Sequence, residues 1–218
     1  MPVAALVDLF AEPGVPSPVG ISVGVDAKQS DSYALYARQG GLGLPDRDMY
    51  LLDNPRFREF QTAYKAYMAF VFTELGHADP AKSADEVYAL EKKIAEATWD
   101  RALGRNRDLT YNKMSLDEFA ALAPGVPLKE FALKSSDGKA GEIIVAQLPP
   151  TAEEIAAAKL TPAQAAKLTG GVPAIARLIA SEPLPVWQAW LAKNLVMGAA
   201  PIMPRRFDEA NFAFYGKL

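Results

Sequence analysis

The sequence contains no cysteine and only one histidine, His77. The first absence excludes disulfides, thiolate metal ligands, iron–sulfur clusters and cysteine nucleophiles, although it leaves the cellular compartment open. The second leaves catalytic zinc short of donors, because such sites typically take two histidines or a Cys/His mixture among three protein ligands. A dominant charge of one sign is missing too: 23 basic residues face 26 acidic ones, for a net charge of −3. That balance carries no electrostatic footprint for nucleic acid, and no basic run suggests an anionic membrane surface. No apolar run reaches the ~18 residues that read as a membrane span. The opening "MPVAALVDLF" precedes the first basic residue, Lys28, so it lacks the positive segment of a secretory signal.

What remains is an ordinary globular composition, half hydrophobic and 22% charged over 218 residues, with mean hydropathy near zero. The length suits one large domain or one and a half small ones. The ends read as cut from a longer chain. Val3, Leu6, Val7 and Phe10 open on a helical apolar pattern, and "EANFAFYGKL" stops on an aromatic amphipathic stretch with no polar tail.

Between the ends the pattern is mostly helical, with one hairpin. In "VGISVGVDAKQSDSYALYARQ", Ile21, Val23 and Val25 alternate with small residues, and Tyr33 and Leu35 alternate after a polar turn at 26–31. Pro55 opens a helix of about five turns. Its stripe is Phe57, Phe60, Tyr64, Tyr67, Met68, Val71, Phe72 and Leu75, and Gly76 ends it. Ser83 and Glu86 have capping-box spacing and are expected to launch a second helix with Val87, Leu90, Ile94 and Ala97. The same spacing recurs at Ser115/Glu118, Thr151/Glu154 and Thr161/Gln164. Gly170 and Gly171 stop the third of these helices, and Pro173, Pro185 and Pro204 each start another. The last carries Phe207, Asn211, Phe214 and Leu218. Residues 124–172 include the most loop-like stretch, with a short apolar run from Ile143 to Val145, and are the best candidate for a variable insertion. No repeat of 20–50 residues is evident.

The stretch "QGGLGLPDRDMYLLD" invites a phosphate-cradle reading, but the residues oppose it. A dinucleotide fingerprint needs a third glycine, and a Walker loop ends in Gly-Lys-Ser/Thr. Pro45 also removes an amide N–H, and Asp46 and Asp48 repel phosphate. The glycines read instead as a joint where the backbone turns and packs closely, with Arg47 bridging to Asp46 or Asp48. His77 follows Gly76 at a helix end, where histidines commonly sit on dipole grounds. No G-x-S-x-G elbow accompanies it. The acidic pairs Glu153/Glu154, Asp46/Asp48 and Asp85/Glu86 read as first-turn helix residues, and Trp187 and Trp190 as core. Arg101, Arg105 and Arg107 occupy one polar linker, as solvated surface or paired with nearby acids.

Three blocks in order carry a more specific signal. "VGVDAKQSD" leads into Gly41-Leu42-Gly43-Leu44-Pro45-Asp46-Arg47-Asp48-Met49-Tyr50; "LEKKIAEAT" at Leu90–Thr98 precedes "YNKMSLDE" at Tyr111–Glu118; and "FDEANFAFYGK" spans Phe207–Lys217. Together they resemble the neprilysin-like (endothelin-converting-enzyme-like) zinc metalloendopeptidases in their bacterial secreted form. Met49 stands where that family usually has the first aromatic of its Gly-Leu-Gly-Leu-Pro-x-Arg-Asp-Tyr-Tyr signature. The resemblance runs from about residue 18 to the end and is weakest at 124–172. It implies that residues 1–218 are an internal piece of the amino-terminal, non-catalytic region, a mainly α lid domain incomplete at both ends. In such enzymes the lid closes over a thermolysin-like domain, whose H-E-x-x-H helix and downstream glutamate hold zinc. None of those motifs occurs here, so the resemblance implies no catalytic, cofactor-binding or metal-ligating residue in this chain, and zinc only for the parent.

The residues carrying a structural signature are then Gly41, Gly43, Pro45, Arg47, Asp48, Tyr50, Tyr111, Asn112 and Lys113. The implied partners are a catalytic domain of the same polypeptide and the parent's peptide substrates, with no nucleic acid and no membrane insertion by this segment; the implied location of the parent is periplasmic or secreted. Two other readings stay open: a freestanding helical module binding peptides or proteins, and an independent hydrolase whose activity would vanish in His77→Ala.

Overall fold

The computed structural model describes residues 2–216; Lys217 of the third block and Leu218 of the last apolar stripe lie outside them. In chain order the elements are α1 (Val3–Phe10), β1 (Val19–Asp26), β2 (Gln29–Gln39), α2 (Asp48–Leu51), α3 (Pro55–Glu74) and α4 (Pro80–Ala97). Then come β3 (Asn112–Ser115), α5 (Leu116–Ala121), α6 (Leu128–Ser135), β4 (Glu142–Val145), α7 (Ala152–Ala157) and α8 (Pro162–Ala165). The chain finishes with α9 (Gly171–Ser181), α10 (Leu184–Ala199) and α11 (Arg205–Tyr215). The fold is mainly α. It divides into two compact units: residues 1–41 with 97–181, and residues 42–96 with 182–218.

The first unit is built on a four-stranded sheet of order β1-β2-β4-β3. β1 and β2 form the expected hairpin, pairing Val19 with Gln39 and Val25 with Tyr33, and the register shifts at Val25/Asp26. β4 runs parallel to β2 and antiparallel to β3. The apolar run Ile143–Val145 is therefore an inner strand, and all three residues are buried. Burial along the hairpin follows this topology more than its alternation. Leu35, Tyr36 and Ala37 are buried near β4, whose pairing with β2 is at Tyr36 and Ala37. Val23, Val25 and Tyr33 lie toward the tip and are exposed, Tyr33 at 78%. α1 buries Leu6, Val7 and Phe10, as its spacing implied, and packs on α6. A small cluster of Trp99, Leu109 and Leu168 closes another part of the core.

The second unit is helical. Asn54 caps α3 by accepting a hydrogen bond from the Phe57 amide at 2.9 Å, with Pro55 in the first turn. Gly76, at φ +76°, ends the turn that follows α3. Of the long stripe, Tyr64, Tyr67, Met68, Val71 and Phe72 are buried. Phe214 of α11 stacks on Tyr64 with ring centroids 5.4 Å apart and lies 5.5 Å from Tyr67, while Asn211 donates to the Tyr67 hydroxyl at 3.0 Å. Trp187 and Trp190 of α10 meet edge to face, fully buried.

The three capping boxes at Ser115, Thr151 and Thr161 form with both reciprocal hydrogen bonds. The one expected at Ser83 does not. α4 begins three residues earlier, at Pro80, and Asp79 caps it by accepting from the Lys82 amide at 3.0 Å. Ser83 lies inside the first turn, its amide donating to the Asp79 carbonyl. Asp79 followed by Pro80 is a strong start signal on its own, and it wins because it comes first.

Candidate functional site

The glycine-rich segment sits on a buried charge network in the second unit. α2 turns Tyr50 back under the loop, where its hydroxyl oxygen accepts hydrogen bonds from the Gly43 amide at 3.1 Å and the Leu44 amide at 2.8 Å. The same hydroxyl donates to Glu91 Oε2 on α4 at 2.8 Å. Tyr64 on α3 donates to Glu91 at 2.9 Å, and its oxygen accepts from Lys193 Nζ on α10 at 2.8 Å. Lys193 Nζ lies 2.6 Å from Glu91 Oε1. Glu91, Lys193 and Tyr64 are fully buried. Four elements and a loop thus converge on one ion pair. Burial, reinforced by the Glu91 charge, pushes the Tyr50 and Tyr64 phenols well above their ordinary range, so both are neutral donors. Burial lowers the Lys193 pKa while the Glu91 carboxylate opposes that shift.

Gly43 has no room for a side chain here. A Cβ would lie 1.7 Å from the Tyr64 hydroxyl and 3.2 Å from Glu91 Oε1. The joint therefore requires glycine for close backbone approach to the network. Asp46 accepts from the Asp48 amide at 2.9 Å, shaping the turn after Pro45. Arg47 Nε and Asp48 approach to 4.0 Å, the outer limit of an ion pair. Gly41, at φ +93°, closes the first unit's share of the segment.

Tyr111, Asn112 and Lys113 belong to the first unit, where they meet the Asp–x–Lys turn of the hairpin. Asp26 is buried at the end of β1. It accepts from the Lys28 amide at 2.8 Å and from the Tyr111 hydroxyl at 2.9 Å. Lys28 Nζ lies over the Tyr111 ring, 4.3 Å from its centroid. Lys113 reaches Glu142 across the β3–β4 pair at 3.1 Å and Asp26 at 3.9 Å. Asn112 donates to the Leu109 and Val145 carbonyls. The Lys28 amide, with Tyr111 and Lys113 adding to it against burial, holds the Asp26 pKa below the usual carboxylate range.

His77 belongs to neither group. Its Nδ1 pairs with Ser83 Oγ at 2.8 Å and its ring packs 4.7 Å from Phe72. Among the described residues no carboxylate hydrogen-bonds it, so the orienting member of a triad is not in place. Among the described residues no group of three or more His, Cys, Asp or Glu side chains is placed to hold a metal ion. No helix among them is long and apolar enough to cross a membrane.

In the sequence Tyr64 reads as one member of an apolar stripe; Glu91 lies in the block "LEKKIAEAT" but nothing there marks it as a buried charge, and Lys193 belongs to none of the three blocks. One signal for Lys193 is nonetheless legible there: it is the only charged residue from Leu184 to Ala199, in a helix otherwise apolar or neutral.

Residues 3–218, nearly the whole chain, match the family model of peptidase family M13. The chain belongs to peptidase family M13. Among relatives, human endothelin-converting enzyme-like 1 is 28% identical over 106 residues, covering 48% of this chain and 14% of that protein. Rat endothelin-converting enzyme 1 is 30% identical over 109 residues, covering 49% of this chain and 14% of that protein. The zinc metalloprotease Zmp1 of Mycobacterium tuberculosis, solved with an inhibitor, superposes with a TM-score of 0.76 at 28% identity. It matches 99% of this chain and 30% of its own. PepO from Lactobacillus rhamnosis HN001 shares the fold, with a TM-score of 0.67 at 16% identity over 96% of this chain and 30% of its own. The matched segments therefore cover only 14% of the length of these curated relatives, and the chain covers 30% of the solved chains. M13 is a zinc metalloendopeptidase family, and the described residues provide no donor set that fits the metal.

Proposed function

We propose that this M13 chain is the non-catalytic helical lid portion of a zinc metalloendopeptidase that cleaves peptides, and that it is inert by itself. The observation that carries this reading is the pairing of a family match over residues 3–218 with coverage of only 30% of Zmp1, a zinc metalloprotease. In this reading zinc, the water-activating glutamate and the peptide-holding segment belong to a catalytic domain of the same polypeptide. Residues 124–172 are a variable insertion, and the parent is periplasmic or secreted. Gly41, Gly43, Pro45, Arg47, Asp48 and Tyr50 shape one joint of the lid. Tyr111, Asn112 and Lys113 tie the hairpin turn to its sheet.

The test is the coding DNA on both sides of the segment. A frame continuing past Leu218 into an H-E-x-x-H helix and its downstream glutamate is the expected result. A stop codon there, with no such frame nearby, would replace the lid by a freestanding binding module.

A further inference from the structure

The sheet unit holds a cavity of about 640 Å³ that the joint and the hairpin anchor leave unexplained. Its lining includes Arg38 from β2 and Arg105 and Arg107 from the linker after α4, with Tyr36 and Tyr111 contributing aromatic faces. None of the three arginines forms an ion pair with an acidic side chain among the described residues, whereas many lysines and arginines elsewhere do. Arg38 instead lies over the Tyr36 ring, 5.0 Å from its centroid. In a chain of net charge −3, three guanidiniums without acidic partners around one cavity are a local reversal of sign.

The one acid in the lining, Asp26, already accepts from the Lys28 amide and Tyr111. Its negative charge disfavours a dianionic phosphate more than a monoanionic carboxylate. Guanidinium forks bind carboxylates in paired hydrogen bonds. We propose that this cavity is a binding site for a peptide carboxylate, from an acidic side chain or a C-terminus. The proposal stands on the sheet unit alone and does not depend on the peptidase reading.

The test uses the 218-residue chain and three fluorescent peptides read by anisotropy: a tetraglutamate peptide with an amidated C-terminus, its tetraglutamine counterpart, and the tetraglutamine peptide with a free C-terminus. Binding of the amidated glutamate peptide alone assigns the site to acidic side chains. Binding of the free-acid glutamine peptide alone assigns it to a terminal carboxylate, and binding of both assigns it to a carboxylate from either source. In each case Arg105→Gln/Arg107→Gln should weaken binding roughly tenfold, the loss expected for one or two charge-assisted hydrogen bonds. Arg38→Gln should act in the same direction, and Arg101→Gln, outside the lining, should change nothing. The arginines are exposed, so these variants should keep the thermal midpoint. Equal binding of all three peptides, no binding of any, an unchanged affinity in the double variant, or displacement by inorganic phosphate as readily as by free peptide would each overturn the proposal.

Discussion

At the scale of single residues, the glycine joint is decided by one contact. A Cβ on Gly43 would overlap the Tyr64 hydroxyl, so Gly43→Ala must displace either the loop or the buried network. We expect a loss of about 1–3 kcal/mol, the usual cost of overpacking, read as a shift in urea midpoint. Gly104, with open space where a Cβ would sit, supplies the control, and its alanine variant should stay within about 0.5 kcal/mol of the parent. The ion pair beneath the joint makes a second prediction. Lys193→Met leaves Glu91 buried with its charge uncompensated, which costs about 3–5 kcal/mol. Removing both charges in Glu91→Gln/Lys193→Met should cost less than Lys193→Met alone, because the stranded carboxylate is then gone. Strict additivity of the two single effects would mean that the pair is not coupled.

At the scale of elements, local sequence signals held wherever nothing upstream competed with them. Ser115, Thr151 and Thr161 cap their helices as their spacing implied. Ser83 has the same spacing to Glu86, yet Asp79–Pro80 opens the helix first. Asp79→Ala should therefore lower stability by roughly 1 kcal/mol, the value of a lost cap. A larger effect in Ser83→Ala would restore the later start, although Ser83 also carries the His77 contact. β3 shows the opposite limit. Its four residues, Asn112–Ser115, contain one apolar side chain, Met114, and no alternation from which a strand can be read. It is a strand because Ile143–Val145 offers an antiparallel edge, which periodicity within the segment cannot show.

At the scale of the whole molecule, the sequence passes between two structural units at 41–42, 96–97 and 181–182. Each unit fastens residues that are distant in sequence. Asp26 and Tyr111 are joined in the first, and Glu91 and Lys193 in the second. The first of these links gives the molecule a predictable acid response. A carboxylate held below its ordinary pKa stabilises the folded state above the unfolded value, about 3.9 for Asp, and loses that contribution as pH falls through the folded pKa. Because Asp26 is shifted in that direction, the urea midpoint should fall more steeply from about pH 5 to about pH 2 in the parent than in Asp26→Asn. Parallel profiles would remove Asp26 from the acid response.

Exposed apolar side chains are a further property at this scale. Ile202 is 89% exposed and Phe212 76%, and Val23, Val25 and Tyr33 are open at the hairpin tip. The isolated chain should bind a hydrophobic dye or self-associate, and a monomer without dye binding would count against the lid reading. Zinc titrated calorimetrically should show no stoichiometric binding; tight one-to-one binding would overturn the same reading.

The sequence alone determined what depends on neighbours along the chain. The caps at Ser115, Thr151 and Thr161, the helix starts at Pro55, Pro185 and Pro204, the hairpin and the stripe through Tyr64 and Phe72 all follow from spacing over a few residues, because backbone geometry repeats over that distance. The helix expected from Pro173 begins at Gly171 instead. The ordered blocks that begin at Val23, Leu90 and Phe207 also carried enough pattern to point to the family. Tertiary structure alone decided which of these residues face one another. Tyr64 reads as one more aromatic in a stripe until α4 and α10 bring Glu91 and Lys193 to its hydroxyl. Gly43 reads as part of a joint where the backbone packs closely, but only the fold shows that the Tyr64 hydroxyl is what occupies the space of its missing side chain. A buried ion pair 102 residues apart in sequence leaves no periodic trace, since the free energy that holds it comes from desolvation and geometry established only when the helices have packed.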